Sequence, residues 1–311
     1  MSVSFIATFY NKAAYIPAVL DAIASQRGIL EREFIFIDDG STDNTLEILR
    51  EMTRGWVGVK IIAQDNTGPA IATNNAIGYA TKDYIKLWDG DDIAHPDTTR
   101  LLLQAMEQHK TGFAYCGIDF APFGLNDYNT DKDAFYADIE LPQHSHVIAD
   151  PIKFILKGPF ANPTALLFRT DLLRVSGGAD PTVFIQDYAL SLRAAHLSAL
   201  AHVPQTLAFA FKDVDHRLSG NEAQILHDLN AALYNYACGD APLHNDERRY
   251  LSQRMAGRAW KWAHRHHGAG LLSGAYRRFV KSKLKSSPLS REDLYKCLLP
   301  FREKNTIRTR I

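Results

Sequence analysis

The sequence predicts an α/β protein, a layered αβα sandwich around a mostly parallel sheet, with a helical extension at the C-terminal end. Three observations carry this. Short β-rich runs alternate with helical patterns at intervals of ~25–30 residues through the first third of the chain, the signature of right-handed βαβ units. Hydrophobic residues make up 46% of 311 residues, enough to bury a large core. From about Asn221 onward the pattern is almost wholly helical. A domain over residues 1–220 and a helical region over 221–311 are the expected division.

The strands are read at Val3–Thr8, Glu33–Asp38, Val59–Ala63 and Asp83–Trp88, each an apolar run ending in polar residues. Helices fit Tyr15–Gln26, Asn44–Thr53, Pro69–Ala80 and Pro96–His109, where apolar residues recur three and four apart, as in Ile16, Val19, Leu20 and Ile23. From Asp119 to about Asp150 the pattern loosens into an aromatic-dotted stretch, read as an irregular insertion or lid. Order returns with a helix over Pro151–Lys157, a strand over Ala165–Arg169, a short helix after Thr170, a helix over Asp187–Ala195 and a strand over Leu207–Phe211. Breaks in the helical region are expected near Gly239–Pro242, Gly268–Gly270 and Ser286–Pro288.

In an open sheet of this kind ligands bind beyond the carboxyl ends of the strands, so those loops hold the candidate site. After the second strand stands Asp38-Asp-Gly-Ser-Thr-Asp-Asn-Thr45, two carboxylates at a strand end just before a helix N-terminus. Asn44 and Glu47 read as a capping pair and Gly40 as a turn glycine, which leaves Asp38 and Asp39 for a base or ribose. After the fourth strand, Asp89-Gly-Asp-Asp92 gathers three carboxylates in four positions. Like charges so concentrated repel unless a cation neutralises them, and hard oxygen ligands select Mg2+ or Mn2+. A tight Asp-Gly turn is the plainer alternative.

Four motifs in order, Thr8-Phe-Tyr-Asn11, Asp38–Thr45, Asn66-Thr-Gly68 and Asp89–Asp92, make the first 120 residues resemble the family-2 inverting glycosyltransferases of bacterial surface-polysaccharide type, whose fold is the Rossmann-like GT-A fold. The resemblance implies a nucleotide-sugar donor held by Thr8, Tyr10, Asn11, Asp38, Asp39, Asn66, Gly68, Asp89 and Gly90. Thr8 and Asp39 would meet the base, tilting it towards uracil, and Asp89 the ribose. It further implies a divalent metal, Mn2+ or Mg2+, on Asp91 and on His216 of the Asp215-His-Arg-Leu-Ser219 segment, and a general base at Asp187. The chain departs from the family pattern twice, at Thr73 where Ala-Arg-Asn is common and at Gln186 where a glutamate usually precedes the base. Asp187 also reads as a helix N-cap, and His216 as a structural histidine.

The formal charge of zero hides a polarity, since residues 1–247 hold 18 Lys/Arg against 32 Asp/Glu and residues 248–311 hold 17 against 3. Cations interleaved with Trp260 and Trp262, and again around Tyr276 and Phe279, suit an anionic membrane surface; docking on the acidic body is the alternative. No nucleic-acid partner is expected, because no such module is present and the acidic body would repel a phosphate backbone. Cys116, Cys238 and Cys297 lie far apart, so a reducing cytoplasm fits, with the protein peripheral at the inner face of a membrane. No signal peptide or membrane span is read. The expected reaction moves a sugar from a UDP-favoured donor to a carbohydrate or lipid-linked glycan. A non-catalytic sugar-nucleotide or glycan-binding protein, or a sugar nucleotidyltransferase, are the alternatives, although Phe9–Ala14 lacks the Gly-rich phosphate loop that the last would need.

Overall fold

A computed structural model describes residues 1–212, 220–239, 243–284, 288–303 and 307–308. Four strands, β1 (Ser2–Phe9), β2 (Glu31–Asp38), β3 (Val59–Ala63) and β4 (Tyr84–Asp89), alternate with helices α1 (Ile16–Ala24), α2 (Thr45–Met52) and α3 (Pro69–Tyr79). All pairings among these strands are parallel, in the order β3-β2-β1-β4. The chain thus winds outward from β1 through β2 to β3, and α3 carries it back to β4 on the other side of β1. That reversal opens a crevice at the carboxyl ends of β1 and β4, where ligands of doubly wound folds bind.

Beyond β4 come β5 (Asp92–Ala94), α4 (Thr98–His109), β6 (Phe113–Phe120), α5 (Tyr128–Ala137), β7 (His146–Ile148), α6 (Pro151–Leu156), β8 (Leu166–Arg169), α7 (Thr170–Val175), α8 (Gln186–Ala195) and β9 (Leu200–Ala210). β8 runs antiparallel between β4 and β6, and β9 lies parallel to β6 across a bulge. β9 also pairs antiparallel with β7 at its start and with β5 at its end. It begins seven residues before the strand expected at Leu207. Its polar, proline-interrupted first half, Ala201-His-Val-Pro-Gln-Thr206, masked that start from a reading of apolar runs. The stretch taken for an irregular lid forms α5 and β7; Phe135 and Tyr136 of α5 pack on Phe209.

Period-two alternation sends Phe5, Ala7, Phe9, Phe34 and Phe36 to one face of the sheet, against α1 and α4, and Ile6, Ile35, Ile37, Ile85 and Leu87 to the other. The second face is covered by α3 and α8 and by the C-terminal helices α9 (Glu222–Cys238), α10 (Asn245–His267), α11 (Gly274–Lys283), α12 (Arg291–Lys296) and α13 (Leu299–Arg302). Leu251, Met255, Ala259 and Trp262 recur at helical spacing along α10 and join one core with the sheet. The basic region therefore docks on the body through apolar packing; Lys153–Asp246 at 3.2 Å joins α6 to the start of α10, while Arg265–Glu222 at 3.6 Å stays within the helical region.

Candidate active site

Register brings the expected donor residues together. Thr8 pairs with Ile37 and Asp89, and the next residue, Phe9, with Asp38, so the ends of three adjacent strands present Thr8, Asp38 and Asp89 side by side. The loop after β1 is latched to the loop after β2. Asn11, at φ 52°, donates its N–H to the Ser41 hydroxyl at 2.9 Å and accepts the Thr42 N–H on Oδ1 at 2.7 Å. Tyr10 stands exposed at the tip. Asp43, not Asn44, satisfies the start of α2, accepting from the Thr45 N–H at 3.0 Å.

The two carboxylates ending β2 do different work. Asp39 accepts from the Thr67 N–H at 2.8 Å, the Gly68 N–H at 2.7 Å and the Gln64 amide at 2.7 Å, which fixes the turn before α3. Asp38 is equally buried, 3% exposed, yet its Oδ1 meets no hydrogen-bond partner among the described residues. A buried carboxylate oxygen without a donor is costly unless a ligand supplies one. Asn66 is exposed beside this turn. Its backbone N would lie 2.7 Å from a Cβ on Gly40, which has φ +75°, so only glycine fits at residue 40.

The β4–β5 turn is similarly built. A Cβ on Gly90 would sit 2.8 Å from both the Phe9 ring and the Thr8 carbonyl, so glycine lets the turn lie directly on the end of β1. Asp92 turns inward to the Asn162 amide and, at 3.2 Å, the Thr164 hydroxyl. Asp91 turns outward to the Lys12 ammonium at 2.6 Å. Asp89 receives long contacts from the Asn162 amide at 3.4 Å and the Gln186 amide at 3.5 Å. Burial, then the charges of Asp92, Asp91 and Asp187, push the Asp89 carboxyl well above the usual range, with Lys12 pulling it back. Behind the turn, burial brings the Lys86 ammonium down to about 7.

Asp187 lies in the first turn of α8 but does not cap it, because the N-cap position is Ile185. Burial lifts its carboxyl to about 6, against its own N–H and that of Tyr188. The preceding Gln186 accepts a hydrogen bond from the Thr73 hydroxyl on Oε1. The two departures from the family pattern are therefore one contact, a neutral hydroxyl–amide pair reaching from α3 to α8 and on to Asp89.

Among the described residues no three His, Cys, Asp or Glu side chains form a ready metal cage, and His216 lies outside them. The oxygen donors of Asp89 and Asp91 and their mutual repulsion fit a hard divalent cation. Lys12, Gln64, Asn162 and Thr164 escaped the reading of the sequence. Lys12 follows Asn11 directly, and no carboxylate near it in the sequence marked it, since Asp91 lies 79 residues away.

Residues 4–175 match the family model described as Glycosyl transferase family 2, more than half of the chain. The chain belongs to that family. Its family-2 segment is 36% identical over 109 residues to chondroitin synthase of Pasteurella multocida, a match covering 35% of this chain and 11% of that relative's length. GlyG of Streptococcus pneumoniae, a glycosyltransferase, is 27% identical over 174 residues, 55% of this chain and 57% of its own. The GT-A fold is shared with S. aureus TarS 1–349, solved with UDP-GlcNAc, at TM-score 0.64 and 17% identity over 91% of this chain and 79% of that one. It is shared too with the mannosyltransferase PcManGT of Pyrobaculum calidifontis, solved with GDP-Man and Mn2+, at TM-score 0.61 and 17% identity over 97% and 87%.

Proposed function

We propose that this family-2 protein is an inverting glycosyltransferase that moves a sugar from a nucleoside-diphosphate donor, UDP favoured, to a carbohydrate or lipid-linked glycan. The observation that carries the reading is the meeting of Asp38, Asp89 and Asp91 at adjacent strand ends with Asp187 of α8, whose charge Asp89 feels. The unpartnered Asp38 oxygen suits the imide N–H of uracil, and Asp39 holds the loop that walls the base. Asp89 takes the ribose. Thr8, Tyr10, Asn11, Asn66, Gly68 and Gly90 shape the pocket around them.

A divalent cation, Mn2+ or Mg2+, held by Asp91 and the donor's diphosphate would neutralise the leaving group. The TarS and PcManGT complexes, with UDP-GlcNAc in one and GDP-Man with Mn2+ in the other, support this pairing. Lys12, within reach of Asp91, offers a second positive charge to the diphosphate. Asp187 takes the proton of the acceptor hydroxyl, whose oxygen attacks the anomeric carbon as the bond to the diphosphate oxygen breaks. One such displacement inverts the anomeric configuration. A carboxylate with a pKa near 6 is largely ionised at neutral pH and still basic enough to accept that proton. The Thr73–Gln186 contact favours an intact enzyme over a binding protein that has lost turnover, since one departure answers the other.

Release of nucleoside diphosphate from UDP-sugars in Mn2+ or Mg2+, abolished by EDTA and by Asp187→Asn, is the expected result. Binding without release in any metal would contradict it.

The setting is the cytoplasmic face of a membrane. Among the described residues no helix is long and apolar enough to cross one, but Leu271 and Leu272, 66% and 84% exposed, lead the turn between α10 and α11. Exposed Lys261, Arg265 and Arg277 flank them. An apolar tip between two helices that carry exposed cations, with Arg277 donating to the Leu272 carbonyl at 3.1 Å, fits an anionic leaflet. Wild type should sediment with vesicles containing phosphatidylglycerol and not with phosphatidylcholine alone, and Leu271→Asp/Leu272→Asp should stay in solution. Equal sedimentation of both proteins would overturn this placement.

A further inference from the structure

Arg254 and Arg258 stand one turn apart on the same face of α10, and their guanidinium tips converge on Gly158, just past α6. A Cβ on that glycine would lie 3.7 Å from an Arg254 terminal nitrogen and 3.9 Å from one of Arg258. Arg254 donates to the Lys157 carbonyl, and its buried Nε has no partner. Arg258 reaches the Asn230 side-chain oxygen at 3.4 Å and lies against the Tyr188 phenol. No carboxylate comes within ion-pair distance of either arginine among the described residues.

Two partly buried like charges without a counterion repel each other and lose hydration, and burial holds the Arg258 guanidinium below its ordinary range. Arginine pairs suit oxyanions, whose oxygens accept from both forks at once, and the absent side chain of residue 158 leaves the space between the tips open. The arginine pair meets the element of the proposed general base through Tyr188. Tyr188 follows Asp187 on α8, and four residues carry the chain from Gly158 to Asn162, which donates to Asp92. Four extended residues span at most about 14 Å.

We propose that Arg254 and Arg258 form an anion site at Gly158 that takes a phosphate or carboxylate group of the acceptor substrate. The word acceptor rests on the glycosyltransferase reading, while the anion site stands apart from it.

Thermal unfolding of the full chain, with UDP saturating the donor pocket and ionic strength held constant with chloride, tests this without turnover. Inorganic phosphate is one arm and glucuronate the other. The oxyanion that matches the acceptor should raise the wild-type Tm by about 3–6 °C at roughly a hundred times its Kd. Arg254→Gln/Arg258→Gln should lose that rise and keep the rise caused by UDP, and Arg254→Lys/Arg258→Lys should recover part of it. No rise in either arm, or an equal rise in the glutamine variant, overturns the site. A missing UDP response would instead count against the donor pocket and leave the anion arms readable.

Discussion

At the scale of single residues, Asp187 joins reactivity to instability. Its folded pKa of about 6 stands above the unfolded value of 3.8, so the native state holds the proton more tightly. The stability this proton lends is full below pH 3.8 and is lost as pH rises through 6. At pH 7.5 the ionised carboxylate costs on the order of 2–3 kcal/mol, an upper figure because the side chain keeps some exposure. Asp187→Asn should therefore raise Tm at pH 7.5, leave it nearly unchanged at pH 4, and remove most transfer. A lower Tm at pH 7.5 would mean the carboxylate is structural. In wild type the rate should fall as pH drops through about 6. Thr73 has the opposite character: Thr73→Val strands the buried Gln186 oxygen and should cost about 1–3 kcal/mol, read as a lower denaturation midpoint, with slower transfer because Gln186 steadies Asp89.

At the scale of elements, the loops at the ends of β1, β2 and β4 make the proposed site, and those after β2 and β4 depend on a close backbone approach at Gly40 and Gly90. Gly90→Ala should lift the β4–β5 turn off Thr8 and Phe9, weakening UDP binding at least tenfold while far-UV circular dichroism stays unchanged; unaltered affinity would remove the turn from the pocket. These loops were legible because their charges stand at strand ends in an ordered set, and the four parallel strands were legible because each is a short apolar run bounded by polar residues. Partnership was not legible. Asp38 and Asp39 are adjacent and chemically identical, and only the turn before α3 decides that Asp39 is saturated and Asp38 open. Asn162 and Thr164 lie some seventy residues from the carboxylate they hold. The early start of β9 was hidden by its polar first half, and α5 by a sequence with little apolar periodicity.

At the scale of the whole molecule, the acidic body and the basic tail share one core. Met255, Trp262, Leu298 and Phe301 are buried with sheet residues, so the helices from residue 221 buttress α8, the element that carries Asp187. Removing everything after Asp246 should unfold the protein, and surface changes at Leu271 and Leu272 are the sound way to test membrane docking. The charge asymmetry that marked the tail as a separate actor in the sequence reflects mostly its outer face; apart from Arg254 and Arg258 the inner face is largely apolar and belongs to the body. On the proposed function, side chains from separate strand ends and from α8 enclose one sugar nucleotide. Anomalous diffraction from crystals soaked with Mn2+ and UDP tests it most directly: a manganese peak against Asp91 and the diphosphate, with uracil hydrogen-bonded to Asp38, is the predicted result. Nucleotide bound elsewhere, with Asp38 still unpartnered and Asp91 still on Lys12, would contradict it.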